Sequence, residues 1–223
     1  MRLVSYADRA RHAYGVSAAI SLELNKAIEQ GGHATLCVAG GTTPAPAFDI
    51  LSGALIDWSK VTVVPTDERW VDEDDARSNA ALVKKHLLVG KAAKANYISF
   101  YIKGKTPASG IASITQKLAP HLPITVLLAG MGLDMHTASL FPDAEGIKAA
   151  MADDAPPLMV MQPKSQPEAR ITLTAPVLAA AKHIHIMITG ADKRAAVEGM
   201  GAPLQEKAPV SILLGRAQVH WAE

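Results

Sequence analysis

The chain has 223 residues, 49% hydrophobic and 19% charged, which is enough apolar material for a sizeable core and too much for a disordered chain. Lys and Arg number 22 against 21 Asp and Glu, and this near balance excludes the global field of a nucleic-acid binder or a membrane-surface protein. Its one cysteine, Cys37, excludes an internal disulfide and a multi-cysteine zinc site and fits a reducing cytoplasm.

The first predicted element is a helix over Asp8–Gln30, where Ala10, Ala13, Val16, Ile20, Leu24 and Ile28 fall near helical spacing and Gly31-Gly32 end it. Thr35–Ala39 reads as a buried strand, the first of the chain, and Pro44–Leu51 as the helix after it, with Pro44 at the first helical position. Between them, Gln30 to Phe48 is the longest stretch free of Asp, Glu, Lys and Arg, but its glycines and prolines do not suit a lipid-exposed helix. Arg2, Asp8, Arg9 and Arg11 likewise leave no signal-peptide core. A cytoplasmic protein without a membrane partner is expected.

Val61–Val64 is a second strand, stopped by Pro65, and Asn79–Leu88 a helix. Tyr97–Ile102 is taken as a short strand and Gly110–Leu118 as a helix. Ile124–Leu128, between Pro123 and Gly130, is the strongest buried-strand candidate. Leu158–Met161 and Ile171–Leu173 are strands around a polar loop at Gln166. A helix over Pro176–Ala181, a strand over His183–Thr189 and a helix over Asp192–Gly199 come next, and the apolar run Val210–Leu214 closes the series. Strands that alternate with helices and are apolar on both faces predict an α/β fold: a mainly parallel sheet flanked by helices on both faces, Rossmann-like in plan. No repeat, low-complexity tract or linker appears, so residues 1–223 are read as one domain.

In such sheets ligands bind beyond the carboxyl ends of the strands, and chemistry-bearing residues gather there. Gly40, Gly41, Thr42 and Thr43, before Pro44, offer close backbone approach and hydroxyls to a phosphate, without the Lys-Ser/Thr ending of a P-loop. Asp67 and Arg69 follow the second strand within a few residues. After Ile124–Leu128 comes Gly130-Met131-Gly132-Leu133-Asp134-Met135-His136, then Thr137 to Pro142. Its Gly-x-Gly lacks the third glycine of a dinucleotide fingerprint. Asp134 and His136 are two apart, close enough for the carboxylate to orient the imidazole, and histidine can take and return a proton near neutrality. Arg170 and Lys193 are the remaining candidates, a planar fork and a point charge for an anion.

Other features are bland. His183 and His185 share a strand face with no third metal ligand evident. Cys37 reads as a core residue, and Ser139 lacks the Gly-x-Ser-x-Gly elbow of a serine hydrolase.

In combination, these segments resemble the 6-phosphogluconolactonases. The resemblance rests on Gly40–Pro44, Thr66-Asp-Glu-Arg69, the 130–142 block, Arg170-Ile-Thr-Leu-Thr174, and Gly190 with Lys193. Asn79 and Pro209-Val-Ser211 also look like the family. It covers about residues 30 to 215, and the 130–142 block is its specific part. One departure is Met135, where the family usually has glycine; a position needing positive φ would make Met costly. The resemblance implies a fold of the sugar-phosphate isomerase/deaminase type, and hydrolysis of 6-phospho-D-glucono-1,5-lactone in the oxidative pentose phosphate pathway, with no cofactor or metal. It implies His136 as general base, with Asp134 or Asp67 orienting the imidazole or the water. Gly40, Gly41, Thr42, Thr43, Arg170 and Lys193 would bind the substrate, and Arg69 either the phosphate or the developing oxyanion.

Two alternatives stand beside this. The related glucosamine-6-phosphate deaminases have a catalytic glutamate where this chain has Phe141. A non-catalytic sugar-phosphate sensor would normally carry an N-terminal DNA-binding segment. The partner expected is a small sugar-phosphate lactone, not nucleic acid, and the chain is expected to be a monomer or weak homodimer.

Overall fold

Strands that are apolar on both faces need cover on both sides, and the arrangement of elements supplies it. The computed structural model describes residues 1–202 and 204–223. In chain order these form β1 (Arg2–Ser5), α1 (Arg9–Gly31), β2 (Ala34–Val38), α2 (Ala45–Leu51), β3 (Val61–Pro65), β4 (Asp67–Arg69) and α3 (Asn79–His86). Next come β5 (Asn96–Tyr97), α4 (Pro107–Leu118), β6 (Val126–Ala129), α5 (Ile147–Met151), β7 (Leu158–Met161), β8 (Arg170–Leu173) and α6 (Ala175–Ala179). The last are β9 (His183–Thr189), α7 (Ala191–Glu198), α8 (Ser211–Leu214) and β10 (Gln218–Ala222).

Seven strands make one sheet in the order β1-β10-β9-β6-β2-β3-β5, and each neighbouring pair is parallel. A small antiparallel sheet, β4-β8-β7, stands beside its carboxyl edge, joined through the Asp67–Arg69 continuation of β3. Alternating residues of the central strands feed two cores. Leu36, Val38, Val63, Val126 and Leu128 pack against α1, α2 and α3 through Val16, Ile20, Leu24, Phe48 and Val83. Cys37, Val64, Leu127, Ile184 and Ile186 face Ile114, Leu118, Leu178, Val197 and Leu213 on the other side.

Helix α1 shows how sequence sets these elements. Asp8 caps it, accepting the Arg11 N–H at 2.7 Å. Gly32, at φ 76°, closes it with its N–H on Ile28 O. Its fully buried stripe of Val16, Ile20 and Leu24 contributes about 1.5–3 kcal/mol per side chain.

The structure corrects several expectations. The first strand is β1, not Thr35–Ala39, and it pairs with β10, a strand for which the pattern gave no signal. Residues 67–69 form a short strand that the sequence did not suggest. Of Tyr97–Ile102 only Tyr97 lies in the sheet, in the two-residue strand Asn96–Tyr97. Val210–Leu214 holds a short helix, with the final strand beyond it. Pro44 stands at the cap of α2, not inside it.

Candidate active site

Four of the parallel strands end on one cleft of about 300 Å³. It is lined by Gly40, Gly41, Thr42 and Thr43 after β2, by Asp67 and Arg69 after β3, by His136 after β6, by Arg170 of β8 and by Lys193 of α7. Asp134 stands beside this lining, half-exposed, with its carboxylate on His136. The residues expected to act in catalysis or substrate binding thus line or adjoin this one cleft.

The loop after β2 approaches α3 closely. A Cβ on Gly40 would fall 1.8 Å from Asn79 Oδ1, so glycine is required there. Asn79 Nδ2 donates to the Asp67 carbonyl at 2.7 Å, tying the two strand ends together. Beneath them Glu68 is fully buried and accepts the N–H groups of Arg69, Asn79 and Ala80. Burial pushes its carboxyl up to about 7, against the pull of the backbone N–H groups. Glu68 therefore caps α3 and does not reach the cleft.

The loop after β6 folds on itself. Gly132 N–H donates to His136 O, and Met135 N–H to Gly132 O, both at 3.0 Å. This brings His136 Nδ1 to 2.5 Å from Asp134 Oδ1. A Cβ on Gly132 would lie 2.2 Å from His136 Nδ1 and 2.3 Å from Asp134 Oδ1, so the pair depends on that glycine. Met135 has φ 64° and Ala138 φ 51°, the left-handed region that favours glycine. The imidazole stacks on Phe141, ring centroids 4.0 Å apart and planes at 22°. With Nδ1 held by a carboxylate, Nε2 is the nitrogen left to accept a proton.

Asp67 is differently engaged. Its Oδ1 accepts the Thr66 hydroxyl at 2.8 Å and its Oδ2 the Ser139 hydroxyl at 2.5 Å. Arg170 Nη1 lies 3.8 Å from that second oxygen, both side chains being buried. Of the two carboxylates considered from the sequence, Asp134 is the one on the imidazole, and Asp67 is an anchor for Arg170. Ser139, dismissed above as a nucleophile, links the His136 loop to that anchor, and its own N–H is accepted by Thr172 Oγ1.

The cleft's cations are Arg69, Arg170 and Lys193. Arg69 Nη1 donates to the Arg77 carbonyl, and Arg170 Nη2 to Gln166 Oε1 at 2.7 Å. The Nε atoms of Arg69 and Arg170 and the Oδ1 of Asn79 are buried without hydrogen-bond partners among the described residues. Burial lowers the Lys193 ammonium from the usual lysine range, and the nearby Asp134 carboxylate pulls it back. An imidazole paired with a carboxylate, beside three cations and a glycine-rich loop, is chemically suited to accept a proton next to a bound anion.

His183 and His185 lie elsewhere, at the β9 face toward α1. His185 is held between Glu23 Oε2 at 2.6 Å and His220 Nε2 at 2.9 Å, and His183 Nδ1 is 3.3 Å from Glu23 Oε1. No helix among the described residues is long and apolar enough to cross a membrane.

The family model for glucosamine-6-phosphate isomerases/6-phosphogluconolactonase matches residues 7–221. A 6-phosphogluconolactonase of Pseudomonas aeruginosa is 40% identical over 225 residues, covering 97% of this chain and 92% of its own. One from Mesorhizobium japonicum is 36% identical, covering 98% and 94%. Among solved structures, a 6-phosphogluconolactonase from Shewanella baltica superposes with a TM-score of 0.96 at 28% identity, covering 100% of this chain and 98% of its own.

Proposed function

Since the chain belongs to the family of glucosamine-6-phosphate isomerases and 6-phosphogluconolactonases, we propose that it hydrolyses 6-phospho-D-glucono-1,5-lactone to 6-phospho-D-gluconate, a step of the oxidative pentose phosphate pathway. The observation that carries this reading is the Asp134–His136 pair facing a cleft with three cations. The full-length likeness to 6-phosphogluconolactonases supports it.

In this reading His136 Nε2 takes a proton from water as the oxygen attacks C1, and the lactone carbonyl becomes a tetrahedral oxyanion. Collapse re-forms the carbonyl and breaks the bond from C1 to the ring oxygen. The imidazolium returns its proton to that oxygen, and the new carboxylic acid ionises. Asp134 fixes the tautomer and stabilises the imidazolium. Lys193, Arg170 and the Gly40–Thr43 loop hold the phosphate, with Arg69 at phosphate or oxyanion. Asp67, through Ser139 and Arg170, keeps the two halves of the site in register. Phe141 favours this chemistry over deamination, because it packs on the imidazole at the position where the deaminases have glutamate.

The test is the decay of freshly generated lactone, with and without protein, beside unphosphorylated gluconolactone. Acceleration of the phosphorylated lactone is expected, and decay at the spontaneous rate would overturn the reading. His136→Ala should lower kcat by about 10²–10⁴-fold, and Lys193→Ala should chiefly raise KM. Full activity in His136→Ala would remove it as the base.

A further inference from the structure

Lys193 leaves the first turn of α7, and that turn is held from outside the cleft. Its cap, Gly190, has φ 87° and ψ 155°, a conformation open to glycine. The Gly190 N–H donates to Ala222 O at 2.9 Å, and its carbonyl accepts the Trp221 indole Nε1–H, also at 2.9 Å. The ring of Trp221 lies against the guanidinium of Arg194, whose Cζ is 4.5 Å from the ring centroid. Arg194 is held in turn by Glu198 Oε1 at 3.0 Å. Trp221 therefore grips the residue that opens the turn and the residue directly after Lys193. Its own place is set by the register of β10, where it pairs with Ile188 of β9 and Ser5 of β1.

We infer that Trp221 is a positioning residue for anion binding: it fixes the Gly190–Arg194 turn so that the Lys193 ammonium stands in the cleft. This rests on the proposed reading of Lys193 as a phosphate ligand. A lysine side chain has many rotamers, and a displaced turn would spread its charge over positions that miss the phosphate. Trp221 itself is not among the residues that line the cleft.

Trp221→Phe removes the indole N–H and keeps a ring under Arg194; Trp221→Leu removes both. In Trp221→Phe the KM for the phosphorylated lactone should rise about three- to tenfold, the worth of one hydrogen bond. Its kcat should stay within about twofold, and the rate with unphosphorylated gluconolactone should not change. The effect must also vanish when Lys193 is already alanine, because the tryptophan acts only through that ammonium. An unchanged KM in Trp221→Phe overturns the inference, as does the same rise in the Lys193→Ala background. Should Trp221→Leu fold poorly, Arg194→Gln, which loses the cation over the ring, carries the same comparison. If Lys193→Ala leaves KM unchanged, the phosphate reading falls and this inference with it. If Lys193→Ala raises KM and Trp221→Phe does not, only this inference falls.

Discussion

At the scale of single residues the site depends on absent atoms as much as on present ones. Gly132 lets Asp134 and His136 meet, and a methyl group there would land within 2.3 Å of both partners. Gly132→Ala should therefore separate the pair, lowering kcat by about 10²-fold or more, while circular dichroism and the unfolding midpoint stay near those of the parent. A parent-like kcat would mean that the pair is not needed. The 130–142 block, with its Asp-x-His, was legible in the sequence because its residue types advertise proton chemistry. The choice between Asp134 and Asp67 was not legible. Both follow strands, and only the fold of the loop shows that one carboxylate meets the imidazole while the other is taken up by Thr66, Ser139 and Arg170. Met135 was noted as a departure, and its φ of 64° bears out the reason for noting it. Its N–H and carbonyl are both used, on Gly132 and Val210, so the surrounding loop holds a conformation that the side chain disfavours.

At the scale of elements, β9, β10, α1 and the residue after β1 are joined by buried and half-buried polar side chains. The Tyr6 hydroxyl is 2.8 Å from His220 Nδ1, and His220 Nε2 reaches through His185 to Glu23 on α1. Burial first, then the neighbouring His185, His12 and Arg2, push His220 down to about 3. Between that value and the ordinary histidine range the unfolded chain takes a proton that the folded chain refuses. This contribution is complete above about pH 6.5 and is lost as the pH falls, by about 2 kcal/mol from pH 7 to pH 5. The raised carboxyl of Glu68 works in the opposite sense, favouring the folded state at lower pH, so the informative quantity is a difference. Denaturant unfolding of His220→Gln should lose less stability between those pH values than the parent does. Equal losses would show that His220 does not titrate in this way. This network also explains why β10 escaped sequence reading: His220 and Trp221 look polar or isolated until Tyr6, His185 and Gly190 supply their partners. The central strands needed no such help, since Leu36, Val63 and Leu127 announce burial on their own.

For the whole molecule, the parallel sheet with helices on both faces follows from that alternation of apolar strands and helices, and the carboxyl-edge rule led directly to the cleft. The position of the two ends of the chain did not follow, because pairing between residues 2–5 and 218–221 has no local signature. β1 is an edge strand, remote from the cleft residues, so deleting residues 1–5 should lower stability by about 2–4 kcal/mol, the worth of a few ladder hydrogen bonds. It should leave KM within about twofold. It should also promote association, because β10 would then present an open edge. A KM rise as large as that of Lys193→Ala would show that β1 supports the site through β10.

β10 lies between β1 and β9, so an interior strand of the sheet is synthesised after both of its neighbours. Until it emerges from the ribosome, β1 has no neighbour, β9 has one bare edge, and the turn that carries Lys193 lacks its indole. A nascent chain that already possesses His136, Arg170 and the glycine loop would still lack the contact that holds the Lys193 turn, and would gain it only when residues 218–222 join the sheet.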